Sequence, residues 1–157
     1  MARDFVLLHG LPGSGKSSVC RCLMRKTGWF YANIGAAADF VKVPMPAICS
    51  RLYLENGAGA PLITEGFMQS RVVRDRFVTC VRDILSQSGV FLIRPLIIFW
   101  DEPDLRTLAK RRNRTVEEYE QLQKETEIGS RQYEYTIYKC GTETLEERAD
   151  RILDLIG

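Results

Sequence analysis

The run Gly10-Leu11-Pro12-Gly13-Ser14-Gly15-Lys16-Ser17 constrains this chain more than any other stretch. Its spacing is G-x-x-x-x-G-K-S. It stands between a short apolar run, Phe5 to Leu8, and a helical pattern that opens near Gly15. Strand, glycine turn and helix in that order make a Walker A phosphate loop. The chemistry sets the residue types. A polyphosphate carries several negative charges, and the backbone N–H groups of a tight loop can hold it if no Cβ blocks the approach. That accounts for Gly10, Gly13 and Gly15. The following helix points its unpaired N–H groups and positive dipole end at the same anion. Lys16 is expected to reach the β- and γ-phosphates, and the Ser17 hydroxyl to ligate Mg²⁺. The residues expected to touch nucleotide are Gly10, Leu11, Pro12, Gly13, Ser14, Gly15, Lys16, Ser17 and Ser18.

Beyond the loop, short apolar runs alternate with helical patterns, which argues for an α/β fold with a mostly parallel sheet. Strands are predicted over 4–8, 29–33, 61–64, 95–100 and 135–140. Helices are predicted over 15–27, from Pro44 and Pro46 to about 55, over 71–87, from Asp101-Glu102-Pro103 to about 112, over 115–128, and from Thr144 to the end. In the 71–87 helix, Val73, Phe77, Cys80, Val81 and Ile84 make the buried stripe, which leaves Arg71, Arg74, Asp75 and Arg82 on the opposite face. Thr115 with Glu118, and Thr144 with Glu147, have capping-box spacing. The helix opened by Thr115 carries few apolar residues and should lie largely outside the core. The last helix should bury Leu145, Ala149, Ile152, Leu153 and Ile156.

The chain has 157 residues, a length for one domain. A net charge of +2 is too small to argue for nucleic acid, and 45% hydrophobic with 27% charged residues is ordinary for a soluble protein. No apolar run approaches the ~20 residues of a membrane span. The N-terminal apolar run flows into the loop and lacks a signal-peptide layout, so a cytoplasmic protein is expected. Five cysteines without metal-ligand spacing read as reduced thiols. The lone histidine, His9, reads as a packing or loop residue.

Four groupings beyond the loop could carry chemistry. A carboxylate must hold the metal's waters: Glu65, just after the 61–64 strand, fits, and Asp101 competes but also suits a helix cap. Asp39, in a small-residue loop after the second strand, is placed either as the base that activates an acceptor hydroxyl or as a helix cap. Arg106, Lys110, Arg111, Arg112 and Arg114 crowd one helix end, and Arg111 and Arg114 share a face from which guanidinium forks could meet a moving phosphoryl group. The polar helix beside them reads as a lid. Arg71 and Arg74 could grip an anionic acceptor or pair with Asp75.

Taken together, the Gly10–Ser17 loop, Glu65-Gly66 after a strand, and the Asp-x-Pro helix running into Arg111, Arg112 and Arg114 resemble the small P-loop kinases. That group includes nucleoside monophosphate, gluconate, shikimate and polynucleotide kinases. The resemblance spans essentially the whole chain. It implies a three-layer P-loop fold, with a five-stranded parallel sheet in the order 2-3-1-4-5, a helical lid at about 111–131 and an acceptor-binding region at about 33–56. It also implies ATP with Mg²⁺ as cofactors, Lys16, Asp39, Arg111 and Arg114 as catalytic residues, and Ser17 with Glu65 at the metal. Glu65 stands where many relatives have Asp. The Asp39 position is similar to that of kinases that phosphorylate a hydroxyl. The implied partner is a small-molecule or nucleotide acceptor. Nucleic acid is less favoured, because the adjacent Trp29, Phe30 and Tyr31 of one strand would face opposite sides. A nucleotide-binding regulatory ATPase is the alternative from another class. A GTPase is excluded by the lack of an N-K-x-D motif.

Overall fold

Phe5–His9 (FVLLH) is buried at every position, which requires cover on both faces, and this strand, β1, is the middle of the sheet. The structure, a computed structural model, describes residues 5–36, 62–67, 69–87, 89 and 94–157. Among them, β2 (Phe30–Ala36), β3 (Leu62–Phe67), β4 (Pro95–Asp101) and β5 (Glu134–Lys139) join β1 in one sheet. The order is β2-β3-β1-β4-β5, and every pairing is parallel. Leu8 pairs with Glu65 on one side and Ile98 on the other, so Glu65 stands beside the end of β1 from which the glycine loop departs.

Helices cover both faces. On one side α1 (Lys16–Thr27) and α5 (Leu145–Ile156) close over Val6, Leu8, Ile63, Leu96, Ile98 and Trp100. α1 stops at Gly28, which takes the left-handed conformation at φ 73°. α5 opens on a complete Thr144–Glu147 capping box. On the other side α2 (Arg71–Gln87) lays Phe77 against Phe5, with ring centroids 6.2 Å apart. The short α3 (Leu105–Arg111) and α4 (Val116–Glu125) pack at the sheet's end. Tyr119, Leu108 and Ala109 bury Leu11 there, so a satellite core sits directly under the loop. No helix among the described residues is long and apolar enough to cross a membrane.

The structure corrects several expectations. β3 runs on through Glu65 to Phe67, so Glu65 is a strand residue. α3 starts at Leu105 and is capped by the Asp104 side chain, which accepts from Thr107 N. Asp101 therefore ends β4 and caps nothing. In α2 the buried stripe is Arg74, Phe77, Val78 and Val81. Arg74 and Asp75 are thus buried and not on a solvated face. Leu145, expected inside, is exposed. The 115–128 helix stops at Glu125, and its Tyr119 is fully buried. Asp39, the expected helix up to residue 55 and most of the 33–56 region lie outside the described residues.

Candidate functional site

The loop between β1 and α1 is held in shape by its own lysine and by three outside donors. Lys16 Nζ donates to Gly10 O and Leu11 O, each at 2.8 Å. Ser14 Oγ donates to Leu11 O at 2.7 Å. From β4, the Trp100 indole N–H donates to Ser14 O at 2.6 Å. From α3, the Arg111 guanidinium donates to Gly13 O at 2.9 Å, and from α4 the Tyr119 hydroxyl donates to Pro12 O at 2.7 Å. These bonds satisfy the loop's carbonyls and leave its N–H groups for an anion.

The three glycines answer to different demands. A Cβ at Gly10 would lie 2.5 Å from Trp100 O, so this residue is glycine because β4 presses on it. Gly13 and Gly15 have φ of +80° and +91°, the left-handed region that favours glycine. Gly15 is also the N-cap of α1. No side chain caps that end and no acidic residue lies in its first turn. An uncapped helix start with its dipole undiminished is an anion site.

That helix start opens into a cavity of about 520 Å³, lined by Pro12 to Ser18, Asn33, Glu65, Gly66, Arg111 and Arg112. Of the residues expected to touch nucleotide, Pro12 to Ser18 line it. Gly10 and Leu11 are buried and act through their carbonyls. Arg111 is part of the lining. Arg114 is not part of the lining, and Arg112 is. Arg112, one of the expected basic cluster, and Asn33, at the start of the expected acceptor region, line it too. Asn33 pairs with Glu65 across β2 and β3, so it shares that residue's end of the sheet.

Electrostatics favour an anion. Lys16 is only 6% exposed, and burial lowers its pKa from 10.5 to about 8, with the Glu65 charge opposing that fall and Arg112 adding to it. The ammonium is still charged at neutral pH. His9 is buried against Phe99, and burial, with Arg74 and Lys16 nearby, holds its pKa well below the ordinary value. It is a neutral ring, in keeping with a packing role.

Ser17 Oγ donates to Glu65 Oε1, and Tyr31 OH donates to the same oxygen at 2.8 Å. Asp101, the competitor, has no such contact with Ser17. Among the described residues no three His, Cys, Asp or Glu side chains gather as a protein-only metal cage. One hydroxyl beside one carboxylate, at the phosphate end of the cavity, is the donor set that fits a Mg²⁺ keeping several waters.

The Arg71 and Arg74 pair goes elsewhere. Arg74 is 0% exposed and donates to Gly129 O at 2.9 Å and Gln69 O at 3.3 Å. Arg71 donates to Ile128 O at 3.0 Å. Asp75 accepts from the Ser130 hydroxyl and from Arg131 N. Together they fasten the segment after α4 to α2.

Residues 6–131 match the model of the ATPase family associated with various cellular activities, AAA. The chain belongs to that family. A comparison with curated proteins gave no match. Among solved structures, the AAA-family chain resembles a sugar kinase from Janibacter sp. at 15% identity, over 97% of this chain and 93% of that one, with a TM-score of 0.66. It also resembles a gluconokinase from Sinorhizobium meliloti at 16% identity over 98% and 93%, with a TM-score of 0.62. A third is a shikimate kinase from Aquifex aeolicus at 17% identity over 96% and 94%, with a TM-score of 0.62. At such identities the likeness is one of fold: an α/β P-loop domain built on a parallel sheet.

Proposed function

We propose that this chain is an ATP-dependent phosphotransferase that moves the γ-phosphate of ATP to a hydroxyl of a small molecule or to a nucleotide. One observation carries the reading. An uncapped helix start, a buried lysine, two arginines and a serine–glutamate pair converge on one cavity. Phosphoryl transfer needs little covalent chemistry from a protein and much positioning and charge stabilisation, which is what this wall of donors offers. The N–H groups of the loop and of α1 hold the phosphates. Lys16 leaves the carbonyls of Gly10 and Leu11 for phosphate oxygens. Arg111 and Arg112, which lie against Gly13, bring guanidinium groups to the transferring group. Ser17 and Glu65 would hold Mg²⁺, which when bound neutralises charge on the phosphates. Arg114 stays a candidate that a closing lid, residues 111–131, would bring in.

For the acceptor, the fold neighbours that are sugar, gluconate and shikimate kinases favour a small hydroxyl compound. Asp39 is the base in this reading, from its place after β2. Asp39→Asn is expected to slow transfer by about 10²- to 10⁴-fold, the usual worth of a positioned base. An unchanged single-turnover rate would return Asp39 to helix capping.

The family description favours a second reading, a nucleotide-binding ATPase without an acceptor. The test separates the two. ADP release from ATP and Mg²⁺ is followed with nucleosides, nucleoside monophosphates, sugars and 5′-hydroxyl oligonucleotides. A phosphotransferase shows release that rises with one acceptor class and yields a phosphorylated product. Release indifferent to every acceptor selects the ATPase. Stimulation by oligonucleotides alone would select a polynucleotide kinase.

A further inference from the structure

We infer that Tyr31 is a positioning residue that sets Glu65 for a divalent cation. The inference rests on the proposed function for the identity of that cation site. Its basis is one carboxylate oxygen with two hydroxyl donors: Ser17 Oγ and Tyr31 OH both donate to Glu65 Oε1.

Three observations argue for it. The first is the length of the side chain. Glutamate has one more rotatable bond than aspartate, so a metal-facing glutamate on a strand is less well aimed unless something holds its head group. The second is where the holder comes from. Tyr31 pairs with Ile63, and Asn33 with Glu65, in the β2–β3 register, so Tyr31 sits diagonally from Glu65 on the same side of the sheet. Its hydroxyl crosses to the carboxylate while its ring packs against the core cluster that contains Val19, Leu23 and Ile63. A ring fixed by packing makes a stiff arm for the hydroxyl. The third is burial. Glu65 is 3% exposed, so few waters can replace a lost partner, and the head group would be left with Ser17 alone. Outer partners of this kind tune cation affinity without touching the ion.

The decisive variant is Tyr31→Phe, which keeps the packed ring and removes only the hydroxyl. Binding of a non-hydrolysable ATP analogue is measured by calorimetry in EDTA and then across a Mg²⁺ titration, for wild type, Tyr31→Phe, Glu65→Gln and the double variant. Thermal melting is recorded beside each. The expected result is analogue affinity in EDTA equal to wild type. The Mg²⁺ midpoint is raised by about tenfold or more in Tyr31→Phe, as for other outer-partner losses. The tyrosine change should have no further effect once Glu65 is glutamine. A Mg²⁺ midpoint unchanged in Tyr31→Phe overturns the positioning role and leaves the kinase reading standing. An equal weakening in EDTA and in Mg²⁺, or a tyrosine effect that persists beside Glu65→Gln, also overturns it by showing a general structural role. Wild-type protein that binds the analogue with no response to Mg²⁺ overturns this inference and the metal part of the proposed function together.

Discussion

Two groups of arginines follow strand ends in this molecule, and they do opposite things. Arg111 and Arg112 sit exposed on the rim of the cavity and face the phosphate loop. Arg71 and Arg74 lie on α2, and Arg74 is wholly buried with its guanidinium spent on the carbonyls of Gln69 and Gly129. In the sequence the groups look alike in one respect: each is a set of cations that could meet an anion. The difference lies in what each neighbourhood lacks. The loop is rich in N–H groups, and Arg111 gives Gly13 O a single N–H, so the rest of its guanidinium and that of Arg112 still border the cavity. The turn after α4 presents backbone carbonyls toward a buried helix face. Those carbonyls need donors, so the cations there become structural.

The sharpest test of the contrast is Lys16→Ala on the cavity side. Transfer per folded molecule is expected to fall by about 10³-fold or more, roughly 4 kcal/mol of transition-state stabilisation, beside whatever melting loss comes from baring the Gly10 and Leu11 carbonyls. Retained turnover in the purified variant would end the functional reading of the cavity. Arg74→Met is the opposite case. It strands the buried Gly129 carbonyl, takes one of two donors from Gln69 O, and should destabilise the fold by about 2–4 kcal/mol, a melting shift of roughly 5–12 °C for a chain this size. Per folded molecule, nucleotide affinity should be unchanged. A stable Arg74→Met with impaired acceptor KM would move Arg74 into the site and erase the distinction. Arg111→Ala should cost about 10²-fold in kcat with stability held within ~0.5 kcal/mol, and Arg114→Ala should change kcat less than about threefold. An Arg114 loss equal to that of Arg111 would show that the lid travels far enough to recruit it.

A pH dependence is expected as well. Lys16 has a pKa lowered to about 8 in the free protein, and bound phosphate favours the charged form. Nucleotide affinity should therefore be level with respect to this group below pH 8. It should weaken above pH 8 as binding begins to require proton uptake, by up to about tenfold per unit. Fluorescence titrations between pH 7 and 9.5 would show it, and Lys16→Met should flatten the profile.

The phosphate loop was legible because spacing alone defines it, and α2 (Arg71–Gln87) because its apolar period and flanking breaks are strong. The face of α2 was misread for a physical reason. Arg74 stands at i relative to Phe77, Val78 and Val81 at i+3, i+4 and i+7, the spacing of a buried stripe, but a charged residue is assumed to seek water. The carbonyls of Gln69 and of Gly129, the latter distant in sequence, help make its burial tolerable. Asp104 was missed as the α3 cap because Asp101 and Asp104 both suit the role, and the length of β4 decided between them. Tyr31 entered the site through Glu65, more than thirty residues away, which no local pattern encodes.

The meeting of Gly10 with Trp100 has a consequence for how this domain can change over time. One tryptophan bears on the loop's first residue through its main chain and ties down Ser14 through its indole. The seat for the anion is thus gauged against β4 like a bolt against a shim. A shift of that strand by a fraction of a residue spacing would be transmitted to the nucleotide seat undamped. Strand and loop must then drift as a single mechanical part, and variation is left to the acceptor side.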